Sequence, residues 1–116
     1  MYFKDSVKGR MICMVTEKNG WTIWSVSGRL DRLTSVKAGE EADKVFATAE
    51  KFAVEMSGLE YLSSAGIRIL LSLTKKAKAE GKDFALVGAA GMVKAVLVET
   101  RMDMFAKIFG SAEELP

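Results

Sequence analysis

Two adjacent serines, Ser63 and Ser64, are the residues of this chain best placed to take part in chemistry. They lie between an apolar run at 52–56 and a strongly helical stretch at 67–79, so both hydroxyls are expected at a helix N-terminus. Unpaired backbone N–H groups and the positive end of the helix dipole favour a negative group there. The sequence offers no base that would make either serine a nucleophile. The segment therefore predicts a phosphoacceptor switch, with the phosphate on Ser64.

Each residue of this segment also has an ordinary structural explanation. Ser64 could serve only as the helix N-cap, which would stabilise the helix by about 0.5–2 kcal/mol. Ser63 is better suited to a cap or a spacer than to accepting a phosphate. Gly66 could serve only to relieve crowding in the first helical turn. Glycine destabilises a helix by ~1 kcal/mol, however, and close approach of a partner to the backbone would explain why it is present despite that cost. The residues alone leave these alternatives open.

Composition excludes most catalytic chemistry. The 116 residues include no histidine and one cysteine, which excludes His-dependent nucleophilic catalysis, a His-based metal site and an intrachain disulfide. Cys13 lies in an apolar run and is expected to be a buried, unreactive thiol of a cytoplasmic protein. The net charge of +2 indicates no nucleic-acid surface, and no apolar stretch is long enough to insert into a membrane. We expect no cofactor, because the glycine-containing segment 88–91 lacks the lysine of a nucleotide-binding loop.

Strands and helices alternate along the chain after an opening hairpin, whose turn is predicted at Asn19-Gly20. Thr34 or Ser35 is expected to cap the first helix, which should run to about Phe52. The predicted strands are 11–15, 21–26, 52–56, 84–87 and 105–109, and the later helices are 67–79, a segment around 92–97, and 111–115. The order ββαβαβαβα predicts an α/β fold with a mixed, partly parallel sheet in one domain, residues 1–116.

Two motifs together resemble the STAS domain of anti-sigma factor antagonists. The first is Gly28-Arg29-Leu30-Asp31 followed by a helix, and the second is Tyr61-Leu62-Ser63-Ser64-Ala65-Gly66-Ile67. The resemblance covers nearly the whole chain, including the order of its elements. The family commonly has Asp-Ser-Ser-Gly or Asp-Ser-Thr-Gly at the second motif, and the serine after the aspartate is phosphorylated. Aligned on Gly66, that serine falls on Ser64, and the aspartate is replaced by Ser63.

The resemblance implies a non-enzymatic regulator of transcription that acts by partner switching. In such a system the unphosphorylated antagonist binds an anti-sigma factor that is also a serine kinase, phosphorylation ends the complex, and a serine phosphatase restores it. The implied partner surface comprises Gly28, Asp31, Ser63, Ser64, Ala65, Gly66 and Arg68. For Asp31, a plain role as a turn or helix-start carboxylate is the alternative. For the whole chain, the alternative is a STAS-type accessory subunit of a lipid-transporting ATPase complex, in which the serine need not be phosphorylated.

Overall fold

The structure, a computed structural model, describes the backbone of residues 2–4 and the whole of residues 11–116. Three helices accompany the strands in this part of the chain: α1 (Ser35–Thr48), α2 (Ser64–Glu80) and α3 (Gly91–Glu99). Short 3₁₀ turns follow at Met102–Met104 and Ala112–Glu114. The strands are β1 (Tyr2–Lys4), β2 (Met11–Lys18), β3 (Trp21–Leu30), β4 (Lys51–Glu55), β5 (Leu59–Leu62), β6 (Asp83–Val87) and β7 (Lys107–Phe109).

These strands form one mixed sheet in the order β1-β2-β3-β4-β6-β7, with β5 paired to the end of β3. The pairs β1–β2 and β2–β3 are antiparallel, and the remaining pairs are parallel. The predicted α/β class and partly parallel sheet are therefore confirmed. The hairpin turn is also confirmed, because Asn19 and Gly20 have φ values of 53° and 84° and Lys18 pairs with Trp21. The sequence prediction missed β1 and β5.

Alternation along the central strands separates two cores. Trp24 of β3, Phe52 of β4 and Phe84 of β6 lie in the larger core, to which all three helices contribute buried side chains. Trp21 belongs to a smaller cluster on the opposite face, where Leu115 packs against the sheet. Period-two alternation explains this division, because successive side chains of a strand point to opposite faces.

Several predicted boundaries were wrong. The first helix ends at Thr48 rather than near Phe52, because Phe52 pairs with Thr22 and Phe84 in the sheet and is fully buried there. The strand predicted at 105–109 is shortened to β7, since the chain before it forms a 3₁₀ turn and Phe105 is exposed. The final predicted helix is only the 3₁₀ turn Ala112–Glu114. The second helix begins at Ser64, three residues earlier than the pattern predicted, and ends at Glu80, where Gly81 is the C-cap with φ 69°.

Cys13 is buried, as predicted, with 2% of its surface exposed. Burial, with a smaller contribution from the negative charge of Glu41, raises the pKa of its thiol from 9.0 to about 12. The nucleophilic thiolate is therefore almost absent at neutral pH. No helix in residues 11–116 is long and apolar enough to span a bilayer.

Candidate functional site

The two sequence motifs meet at the carboxyl edge of the sheet. Parallel pairing places Arg29 opposite Tyr61 and Leu30 opposite Leu62, at the ends of β3 and β5. The backbone N–H of Ser63 then donates a 3.0 Å hydrogen bond to the carbonyl of Leu30. Consequently the turn before α1 and the serine segment before α2 leave the sheet side by side.

Asp31 organises the turn before α1. Its Oδ1 accepts hydrogen bonds from the backbone N–H groups of Leu33 at 2.9 Å and Thr34 at 3.0 Å. Thr34 also bonds back to this turn: its Oγ1 accepts a hydrogen bond from the N–H of Asp31 at 3.0 Å. The same Oγ1 donates a hydrogen bond to the carbonyl of Arg29 at 2.7 Å. Of the two predicted caps, Thr34 occupies the N-cap position of α1, but its side chain makes no capping hydrogen bond. Ser35 is the first helical residue, and its Oγ donates to the carbonyl of Asp31.

Arg29 connects this turn to the strand that the sequence prediction missed. Its guanidinium carbon lies 4.3 Å from the centroid of the Tyr61 ring, a cation–π contact, and its Nε lies 3.8 Å from Oδ2 of Asp31. The sequence did not predict a contact between Arg29 and Tyr61. Only the parallel pairing of β3 with β5 brings them together.

The two serines have different roles in the structure. Ser63 is the N-cap of α2: its Oγ accepts from the N–H of Gly66 at 3.4 Å and donates to the carbonyl of Leu30 at 3.1 Å. Ser64 is the first helical residue and is exposed, and within residues 11–116 its hydroxyl makes no hydrogen bond. The alternative that Ser64 is a plain cap is therefore wrong, because Ser63 holds that position.

Each glycine of the motifs has a structural explanation, side-chain crowding at Gly66 and backbone conformation at Gly28. Gly66 is buried, and a Cβ there would lie 2.6 Å from Cδ1 of Leu62 and 3.0 Å from Cγ of Leu30. Crowding in the first turn thus accounts for Gly66, and its contact with a partner stays a prediction. Gly28 has φ 91° beside the irregular register of β3 and β5, a left-handed conformation that favours glycine.

Arg68 is exposed one helical turn after Ser64 and lines a shallow depression between α1 and α2. Residues four apart on a helix are neighbours, so its guanidinium can reach a group carried by Ser64. No cluster of three or more metal-ligating side chains exists among the described residues. The arrangement can accept and hold a phosphate, but the described residues around it include no group placed to activate a serine as a nucleophile.

Residues 13–108 match the protein family described as "Mlab, STAS domain". The fold is similar to the crystal structure of an anti-sigma factor antagonist from Mycobacterium paratuberculosis (TM-score 0.82, 22% identity, 90% of this chain and 89% of the other covered). A sulfate transporter family protein from Wolinella succinogenes is also similar (TM-score 0.69, 14% identity, 84% and 83% covered). So is the Bacillus cell fate determinant SpoIIAA in its phosphorylated form (TM-score 0.67, 11% identity, 88% and 94% covered). The family match spans most of the chain and agrees with the fold and with both motifs, and the chain therefore belongs to the STAS domain family.

Proposed function

We propose that this chain is a cytoplasmic anti-sigma factor antagonist that acts by partner switching under reversible phosphorylation of Ser64. The observation that supports the proposal is that, among the described residues, only one of the two serines makes side-chain hydrogen bonds. Ser63 Oγ is hydrogen-bonded to the carbonyl of Leu30 and the N–H of Gly66, whereas the hydroxyl of Ser64 is exposed in the first turn of α2. A kinase can therefore approach Ser64 without breaking the helix cap. Structural similarity to anti-sigma factor antagonists, including a phosphorylated one, supports the proposal.

In this mechanism the chain is a ligand and a substrate, and it catalyses no reaction. The unphosphorylated surface around Gly28, Asp31, Ser63, Ser64, Ala65, Gly66 and Arg68 binds an anti-sigma factor with serine kinase activity. Transfer of a phosphate to Ser64 then ends the complex, and a serine phosphatase restores the binding form. The chain itself contacts no nucleic acid.

The phosphate acts through local charge and bulk. A phosphoserine carries about −1.5 to −2 charges, and the amides at the start of α2 stabilise it by ~0.3–1 kcal/mol. The fold should therefore tolerate the group. A partner packed over Ser64 instead faces a desolvated charge, and a penalty of ~3 kcal/mol weakens the complex by roughly a hundredfold.

The test uses purified chain, candidate anti-sigma serine kinases and ATP, followed by intact mass and peptide mapping. We expect one phosphate, on Ser64. Affinity and thermal unfolding are then measured on the same variants: Ser64→Glu should unfold normally and bind about a hundredfold more weakly, whereas Ser64→Ala should bind and resist switching off. A phosphate on Ser63, or a Ser64→Glu variant that binds as tightly as the unmodified chain, would contradict the proposal.

A second candidate function is an accessory subunit of a lipid-transporting ATPase complex. One observation favours it: Ser63 stands where the resembling antagonists commonly have aspartate. The similarity to a sulfate transporter family protein shows that the fold also occurs in a family named for transport. The mass measurement separates the two functions. A chain that stays unphosphorylated with every candidate kinase, yet forms a stable stoichiometric complex with a purified ATPase subunit, would support the second.

A further inference from the structure

Three large apolar side chains are exposed at the edge of the sheet that carries Ser64. Leu33 is 62% exposed in the turn before α1, Val36 is 68% exposed in the first turn of α1, and Met92 is 43% exposed in the first turn of α3. A single exposed apolar side chain needs no explanation. Three of them around one site indicate a surface that another molecule covers.

The topology places these residues on both sides of Ser64. Strands β3, β5 and β6 run in the same direction, so α1, α2 and α3 all begin at the same edge. Leu33 and Val36 follow β3, Ser64 follows β5, and Met92 follows β6 on the far side of β4. Helix α3 also packs against β5. In the order of the strands, Ser64 therefore lies between Leu33 and Val36 on one side and Met92 on the other.

Helices α1 and α2 lie beside each other in the same direction. A Cβ on Gly39 of α1 would lie 3.7 Å from Ile69 of α2, and further along Lys76 Nζ lies 2.8 Å from Asp43 Oδ1. Val36 is about one turn before Gly39, and Ala65 is about one turn before Ile69. Val36 is therefore on the part of α1 that runs beside the first turn of α2.

Charged residues border the apolar positions, and cations predominate. The exposed cations at the end of β3 and near the starts of the helices are Arg29, Arg32, Lys37, Arg68 and Lys94, whereas the acidic residues at this edge are Asp31, Glu40, Glu55 and Glu60. Of these acids, Asp31 is half-buried, and its Oδ1 accepts backbone N–H groups. The edge thus carries net positive charge, which is complementary to carboxylates on a partner.

We infer that Leu33, Val36 and Met92 are the apolar anchors of the partner-binding surface, and that the partner is a protein whose apolar depression, bordered by carboxylates, covers Ser64. The inference rests on the proposed function and adds the chemistry of the partner. Anchors on both sides exclude water from the centre of an interface, where an added charge is most costly. This arrangement explains how one phosphate at Ser64 would be enough to end the complex.

The experiment measures the affinity of the unphosphorylated chain for the kinase identified by phosphorylation of Ser64, or for a purified ATPase subunit if no kinase acts. Leu33→Ser, Val36→Ser and Met92→Ser are compared with Val98→Ser. Val98 is a matched control, since it is 62% exposed near the opposite end of α3. We expect about tenfold weaker binding for Leu33→Ser, Val36→Ser and Met92→Ser, and less than about twofold weaker binding for Val98→Ser. All four variants should keep the unfolding temperature of the parent chain, because the replaced side chains are exposed.

The outcomes separate this inference from the proposed function. If Ser64→Glu weakens binding while all three anchor variants bind like Val98→Ser, only the anchor inference fails. If the anchor variants weaken binding and Ser64→Glu does not, only phosphorylation control fails. A wild-type chain that binds neither class of partner overturns both. Association should also slow several-fold between about 50 and 500 mM salt; a rate that is unchanged or faster in high salt would contradict the acidic border of the partner.

Discussion

Replacing Gly66 by alanine tests how the start of α2 is held against the sheet. Gly66 is buried in the first turn of α2, two residues after Ser64. A Cβ would lie 2.6 Å from Leu62 Cδ1, and 3.0 and 3.1 Å from Leu30 Cγ and Cδ2. Leu62 is 2% exposed and Leu30 is fully buried, so neither side chain can move aside into solvent.

Two opposing effects set the size of the change. Alanine is better than glycine in a helix by about 1 kcal/mol. Extra volume in a packed core costs about 1–3 kcal/mol, and the 2.6 Å approach at Gly66 places this variant in the upper part of that range. We therefore expect Gly66→Ala to lower the free energy of unfolding by about 1–2 kcal/mol, which corresponds to a fall in Tm of roughly 4–8 °C for a chain of this length.

Gly39→Ala is the matched control, because it makes the same substitution inside α1. There a Cβ meets only Ile69, at an ordinary 3.7 Å, so the variant should gain about 1 kcal/mol and roughly 4 °C in Tm. Urea and thermal unfolding measure the change in stability of both variants. The difference between the two changes is the steric cost of a Cβ at Gly66, about 2–3 kcal/mol. If the two substitutions change stability equally, the close contact of α2 with Leu30 and Leu62 is not a constraint.

The other predictions concern single groups. Asp31→Ala should destabilise the chain by about 0.5–2 kcal/mol in urea unfolding, because two backbone N–H groups lose their acceptor. Asp31→Asn should retain most of the stability, since its amide oxygen can still accept these bonds. Equal urea midpoints for Asp31→Ala and the parent chain would contradict this. In the chain phosphorylated at Ser64, the helix amides and Arg68 should lower the second pKa of the phosphate below its usual value of about 6. The stabilisation of the folded chain by the dianion is therefore present at neutral pH and is lost as the pH falls. A ³¹P titration measures this pKa, and Arg68→Ala should raise it towards 6; identical titrations would exclude the arginine. Native Cys13 should resist alkylation at pH 7 and react rapidly only after unfolding. Because burial raises the pKa of the thiol from 9.0 to about 12, its contribution to stability is full below pH 9 and is lost as the pH rises towards 12. Fast labelling of the folded chain would show that the thiol is accessible.

Sequence reasoning predicted the elements that carry a long, regular pattern. The buried face of α1 is an example: Ala38, Ala42, Val45 and Phe46 of the helix and its C-cap residue Ala49 recur at helical spacing, and all are buried. The boundary between α1 and β4 was predicted less accurately, since no glycine or proline marks it. The sequence placed Phe52 both near the end of the first helix and at the start of the strand predicted at 52–56, and its pairing with β3 and β6 assigns it to the strand.

The main omission was β5, and its cause is physical. Four residues, Leu59–Leu62, are too few to show a clear period, and they follow directly after the turn at Ser57-Gly58. The pairing of β5 with β3 depends on long-range contacts past an irregular register at Gly28. Without β5, the contact of Arg29 with Tyr61 could not be inferred, and neither could the positions of the two serines relative to Leu30.

The serine at position 63 alters the electrostatics around Ser64, the proposed phosphoacceptor. An aspartate there, as the resembling antagonists commonly have, could accept the N–H of Gly66, since aspartate and serine cap helices about equally well. A carboxylate could not donate to the carbonyl of Leu30, whereas Ser63 Oγ does so at 3.1 Å and joins the start of α2 to the end of β3. Serine also removes one negative charge from beside Ser64. A phosphate on Ser64 would therefore meet less repulsion within this chain than in a relative with the aspartate, and a cognate kinase must position Ser64 without that carboxylate.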